Sequence, residues 1–364
     1  FWRPHPIGAR RFGESVSGRV MASQNVSHLL GTLQEDPDNL EALSAIGALA
    51  ENGVVALDAE AERLLELARH GHDARAEYRA VAKILEVQAK LSAGADPDRA
   101  ATFYQELGRV RREELLDDAA AKEAFEAALA LRPGDDDLAD EIAQIDQTAA
   151  KWGDIVKRFL DEAESASDPT LRSSLLVSAA SLVWKYKGRG RDKQVDALFR
   201  SALEAARGDA RAARLYAQVL SAREKWEELA TVLLAAADGA AEREEKVQLL
   251  VRAARVLAKE LGDRARAAAT YERILELHPN HARSMSWLVG HYMEAQDWDR
   301  LVALYEDALR ARNKLDDEAG VLLQLGMVHW RFRESPAEAE PYFARLRKMD
   351  PGHPGLLDFY RAYY

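Results

Sequence analysis

Two aromatic series with a shared spacing constrain this chain more than any other feature. Trp152, Trp226 and Trp298 each open a helical pattern with apolar partners three and seven positions on: Ile155 and Phe159, Leu229 and Leu233, Leu301 and Tyr305. They recur at steps of 74 and 72, and Tyr78, with Val81 and Leu85, precedes the first by 74. A second series, Phe125, Phe199, Tyr271 and Phe343, is spaced 74, 72 and 72. One period of roughly 73 residues holds four helices, hence two helical hairpins of roughly 36 each. A chain of 364 residues could form two or three globules, but this periodicity selects one array of stacked repeats. Its 66 alanines fit that reading, because closely stacked hairpins need a small residue at most crossings.

The helix boundaries keep the same phase. Asp96-Pro97 and Asp168-Pro169 recur at a step of 72, each an N-cap followed by proline at the first helical position. Hairpins exit at Leu131-Arg132-Pro133, Leu277-His278-Pro279 and Met349-Asp350-Pro351, where proline stops the second helix.

These residues resemble the tetratricopeptide-repeat family. Its hairpin pattern is met by Leu325-Gly326, Ala339, Phe343 and Pro351, with one extra residue in the turn. Ala267, Tyr271 and Pro279 meet it again, as do Leu107-Gly108, Phe125 and Pro133. The hairpins of Trp152, Trp226 and Trp298 depart from it, lacking the small alanine of the second helix. The resemblance covers residues 75–364 and extends less firmly back to 22. It implies an all-α, right-handed superhelical solenoid of about nineteen helices. It also implies a non-enzymatic scaffold that binds partner polypeptides in a concave groove lined by the first helices.

Three segments are expected. Residues 1–20 carry a local excess of arginine broken by Pro4, Pro6, Gly8 and Gly13, and read as a disordered or spurious leader. Residues 21–92 read as an N-terminal cap. The step from Pro37 to Tyr78 is 41 where that from Pro133 to Trp152 is 19, so an extra helix is placed at about 57–70. Residues 93–364 read as the solenoid. After Pro351, Leu356, Leu357, Tyr360, Tyr363 and Tyr364 form an apolar stripe on one more helix. That helix is either a cap with its hydroxyls in water, or the sequence stops inside a longer solenoid and the helix presents a docking face, open also to self-association.

Composition excludes several chemistries. A formal charge of −11 disfavours sequence-independent nucleic-acid binding, and zero cysteines removes disulfides and thiolate chemistry. The sequence shows no cysteine, no recognisable signal peptide and no apolar run long enough to cross a bilayer, so the cytoplasm is its expected location. Phosphate-binding, nucleophile-elbow and zinc motifs are absent from the sequence. His70 and His72, and His278 and His281, read as solvated turn histidines, and Asp135–Asp137 as a helix start. No cofactor or metal is expected.

One charge pattern is periodic. Arg111 and Arg112, Lys185, Lys259 and Arg331 each close a first helix, at steps of 74, 74 and 72 from Arg111. Under the resemblance the groove positions are Gln105, Arg109 and Arg112, then Ser181, Trp184 and Lys185. Gln248, Arg255 and Lys259 follow, then Met327, Trp330 and Arg331. Such a basic, partly aromatic stripe suits an acidic peptide, a C-terminal carboxylate or an acidic partner helix, with a protein or acidic peptide the expected partner. The competing account is that cations at helix C-termini offset the macrodipole. Two other functions stay open: RNA binding through the Lys185–Lys193 loop, with five cations in nine residues, and a regulatory repeat arm of a larger enzyme or complex.

Overall fold

Capping residues and stop residues alternate along the chain, and helix follows helix accordingly. The computed structural model describes residues 28, 29, 31, 32, 40–51, 59–187, 192–310 and 318–363; the leader and Tyr364 lie outside them. Among the described residues every regular element is helical. The chain divides into two units, Phe1–Ala206 with Arg214–Gln218, and Arg207–Ala213 with Val219–Tyr364.

The first unit holds α1 (Leu40–Glu51), α2 (Ala59–Ala74), α3 (Tyr78–Ser92), α4 (Pro97–Arg109), α5 (Asp118–Leu131), α6 (Asp136–Ser165), α7 (Pro169–Lys187) and α8 (Asp192–Ala205). Helix α9 (Ala210–Ala222) contributes to both units. The second unit continues with α10 (Trp226–Gly239), α11 (Arg243–Arg255), α12 (Arg264–Leu277), α13 (Ala282–Ala295), α14 (Trp298–Arg310), α15 (Glu318–Met327), α16 (Pro336–Met349) and α17 (Pro354–Tyr363). Caps follow the sequence. Asp96 accepts from the Arg99 amide at 3.0 Å, Asp135 from Leu138 at 3.2 Å and Asp263 from Arg266 at 3.0 Å.

Cores form between neighbouring helices. Leu43, Ile46, Leu65 and Ile84 join α1, α2 and α3, and Val81, Leu85, Phe103 and Leu107 join α3 to α4. That second cluster packs residues from both sides of position 92/93. In the second unit Leu322, Phe343, Leu346, Leu356 and Phe359 join α15, α16 and α17.

The extra residue expected in the hairpin turn is placed by the backbone. Three first helices, α4, α11 and α15, end in a π-helical turn: Val110–Glu114, Val256–Glu260 and Val328–Phe332. The amide of Leu115 donates to the Val110 carbonyl at 3.0 Å, Leu261 to Val256 at 3.1 Å and Arg333 to Val328 at 3.0 Å. Each inserts one residue before the turn. A left-handed residue follows at Leu116, Gly262 or Glu334, and then the next N-terminal position at Asp117, Asp263 or Ser335.

One expectation fails. Trp226 and Trp298 open helices as the pattern requires, but Trp152 lies inside α6, which runs 30 residues without a break. Ala76, Glu224 and Gln296 take left-handed φ values of 53–56° just before Tyr78, Trp226 and Trp298. The equivalent residue, Ala150, stays helical. Thr148-Ala149-Ala150 is rich in the residue that favours helix most, and a left-handed residue other than glycine is unfavourable.

Glycine has opposite roles at two positions. A Cβ at Gly108 would stand 2.5 Å from the Phe125 ring, whereas one at Gly153 in α6 would meet nothing within 4 Å. Gly108→Ala should therefore lower stability by about 1–3 kcal/mol through overpacking. Gly153→Ala should raise it by about 1 kcal/mol, the ordinary helix-propensity gain. Urea unfolding of the two variants beside the parent checks both signs.

Candidate functional site

The stripe of cations can be placed only after its register is fixed. The Asp96-Pro97 and Asp168-Pro169 helix starts set α4 and α7 at a step of 72, so the residue equivalent to Lys185 is Glu113, not Arg111 or Arg112. From Lys185 to Lys259 and Arg331 the steps of 74 and 72 hold. Three rows result: Arg109, Ser181, Arg255 and Met327; Arg112, Trp184, Ala258 and Trp330; Glu113, Lys185, Lys259 and Arg331.

In the first unit the row is occupied by internal contacts. Lys185 Nζ donates to Asp118 Oδ1 at 2.6 Å with its side chain 11% exposed, and Tyr186 OH donates to the other carboxylate oxygen. Burial pulls the Lys185 ammonium below the usual lysine range, although its bond to the Asp118 carboxylate opposes that, and burial pushes the Tyr186 phenol up. Arg112 pairs with Glu141 across α4 and α6. Arg111 donates to the Ala120 carbonyl at 3.1 Å and approaches Glu86 at 3.5 Å. The Ser181 hydroxyl donates to Val177 O at 2.8 Å, and Trp184 and Gln105 are half-buried. Arg109 is exposed, at the rim of a cleft of about 230 Å³ shared with Arg69, Asp73 and Glu106.

In the second unit the outer row stays outside. Lys259 and Arg331 are exposed, and Gln248, Arg255 and Met327 are half-buried. The Arg331 guanidinium lies 3.7 Å from the centroid of the Trp330 ring. Trp330 in turn stands edge-on to Phe343 and Phe359, at 6.3 and 5.3 Å. A core aromatic thus carries a surface cation on its outer face.

The C-terminal stripe divides. Leu356 is buried, Tyr360 is half-buried beneath Arg347, and Leu357 is 60% exposed. Phe359, outside the expected stripe, is the residue that seals the core, stacking on Phe343 at 4.1 Å. Tyr363 also stacks on Phe359, at 5.2 Å. Phe359 lies three residues after Leu356, and the helical spacing i, i+3 was the signal that could have found it.

The sequence also missed an open cleft of about 510 Å³ between α12, α13 and α14, lined by Leu275, Met285, Leu304, Tyr292 and Arg300. Tyr292 OH donates to Glu272 at 2.5 Å; burial and that carboxylate push its phenol up to about 12. His72 differs from expectation too. It is buried inside α2, with Nδ1 2.7 Å from Glu77, and is no solvated turn residue. His278 and His281 meet edge-on at 6.0 Å, and His281 caps the Ser284 amide. Among the described residues no group of three or more His, Asp and Glu is placed to hold a metal ion, and no helix is long and apolar enough to cross a membrane. The arrangement offers surfaces for contact.

Because Asp118 neutralises a buried ammonium and accepts from Tyr186, Asp118→Ala should cost about 3–5 kcal/mol. Asp118→Leu/Lys185→Met should recover most of that loss, since no buried charge is then left unpaired. Chemical unfolding of the single and double variants measures the difference.

Residues 248–281 and 288–319 each match a tetratricopeptide-repeat profile. No curated protein matches the chain. Among solved structures, that of Pseudomonas aeruginosa pilF is similar at 17% identity over 73% of this chain and 99% of that one, with a TM-score of 0.28. The TPR domain of P58(IPK) is similar at 14% identity, over 94% and 98% of the two chains, with a TM-score of 0.23. The human IFIT1 dimer with m7Gppp-AAAA follows at 12% identity, 95% and 77% coverage and a TM-score of 0.22.

Proposed function

Since this chain is an all-α repeat protein carrying tetratricopeptide repeats over residues 248–319, we propose that it is a non-catalytic interaction scaffold whose second unit binds an acidic polypeptide segment. The observation that carries the reading is the outer row of the π-turned first helices, with Lys259 and Arg331 exposed in one register. Arg255 and Met327 occupy the row one helical turn earlier, and Trp330 supplies an aromatic face held rigid by Phe343 and Phe359. Carboxylates on the partner would meet the cations, with the Trp330 ring backing the Arg331 guanidinium. A preformed stack of helices adds little ordering cost on binding.

The RNA reading has less support. Lys185, the first cation of its loop, is committed to Asp118, and residues 188–191 lie outside the described residues. A net charge of −11 opposes it as well.

The test uses fluorescein-labelled Asp/Glu-rich peptides and Lys/Arg-rich scrambles in equilibrium anisotropy titrations. Acidic peptides should bind, more weakly as salt rises. Lys259→Glu/Arg331→Glu should weaken that binding by about tenfold or more, near 1.4 kcal/mol, with unchanged helical circular dichroism. Equal binding of basic scrambles, or an affinity indifferent to the reversal, refutes the proposal.

A further inference from the structure

Helix α6 has the sequence of a hairpin and the conformation of a rod. In register with it stand α9–α10 and α13–α14, whose N-caps Asp209 and His281 follow Asp135 at offsets of 74 and 146, the same offsets that carry Trp152 to Trp226 and Trp298. In those hairpins the chain reverses at Glu224 or Gln296; in α6 it does not.

The straight form leaves positions under-covered that the hairpins bury. Leu229 and Leu233 of α10, and Leu301 and Tyr305 of α14, are buried, whereas their equivalents Ile155 and Phe159 are only half-buried. Ile142 is likewise half-buried where its equivalent Leu288 is fully buried. Gly153 marks the junction. It weakens a helix interior and has open space around its Cβ position, so packing does not explain it.

We propose that α6 is the opened form of a hairpin and that two copies of this chain exchange its halves. Residues 136–149 of one copy pack on residues 151–165 of the other, around a two-fold axis near Ala149-Ala150. The occupant follows from the register: the surface that the first half is built to meet is the second half of the same sequence. A straight helix cannot bring its own halves together, but an antiparallel second copy supplies both at once and closes the assembly by symmetry.

The cysteine-free chain makes the exchange directly readable. In α13–α14 the Arg300 guanidinium lies 6.0 Å over the Tyr292 ring, and the equivalent residues in α6 are Asp146 and Asp154. Along a straight helix these stand about 12 Å apart, beyond disulfide reach. The variant Asp146→Cys/Asp154→Cys is oxidised as the full chain and run without reductant, beside each single-cysteine variant. The expected result is a reducible dimer from the double variant and almost none from either single one, with light scattering of the unmodified chain giving twice 40.5 kDa. An intramolecular disulfide would mean that the hairpin closes within one copy and would overturn the exchange; so would the absence of any disulfide, or a monomer mass. Gly153→Pro gives an independent arm. Proline is tolerated in the first turn of a helix but not in the middle of one. It should therefore convert the dimer to a monomer while circular dichroism retains the helical signal, and a persistent dimer would place the contact elsewhere.

Discussion

A large aromatic ring pressed on a glycine, a residue with no side chain, holds the hairpins α4–α5 and α15–α16 together. Phe125 covers Gly108 and Phe343 covers Gly326, so closely that a methyl group would collide with either ring. Ala180 and Ala254 hold the same position in the two hairpins between, where Phe199 and Tyr271 are the knobs, and all four are buried. The two helices can approach at that level only because one of them is bare there, and the ring fills what the approach leaves. The rest of the hairpin is arranged around this contact. In the hairpins of α4, α11 and α15 a π-helical turn lies just after the small residue, and the cap of the second helix follows it.

Much of this was legible in the sequence, because the contact recurs and a recurrence can be read without knowing what it touches. The aromatic series, the aspartate–proline starts and the proline exits all report local chemistry that neighbours cannot easily change. Legibility failed where one residue more or less decided the outcome. The small series runs 108, 180, 254 and 326 while the knobs run 125, 199, 271 and 343, so two extra residues fall between Ala180 and Phe199. Counting from the knobs therefore assigns Arg111 to the row of Lys185, when counting from the helix starts assigns Glu113. Trp152 failed for a related reason. Its apolar pattern is that of a helix start, and nothing in such a pattern distinguishes a helix that begins from one that continues.

The candidate site was harder to read because sequence gives the sign of a charge and not its company. Lys185 is periodic with Lys259 and Arg331, yet it is consumed by Asp118, at the first position of α5. Elsewhere cations brace neighbouring helices: Arg266 reaches Glu227 with two bonds, Arg264 reaches Glu294, and Arg273 reaches Asp238. Exposed pairs of this kind contribute about 0–1 kcal/mol each, so they steer register more than they stabilise. In an acidic chain with so many cations engaged between helices, the exposed ones carry more weight for the proposed recognition than the total suggests.

The π-helical turn connects the packing constraint to that recognition. Inserting one residue after the bare position rotates everything beyond it by about 100° relative to an uninterrupted helix. The burial pattern of the three turns agrees with a common rotation. Arg112, Ala258 and Trp330 are half-buried at one position, and Glu113, Lys259 and Arg331 are exposed at the next. Since that outer position faces solvent in every case, its side chain is not needed to form the hairpin, and the chain indeed places an acid there once and a base twice. Folding fixes where the position points and leaves its chemistry unconstrained. A binding surface can therefore differ from repeat to repeat on a packing scheme that does not.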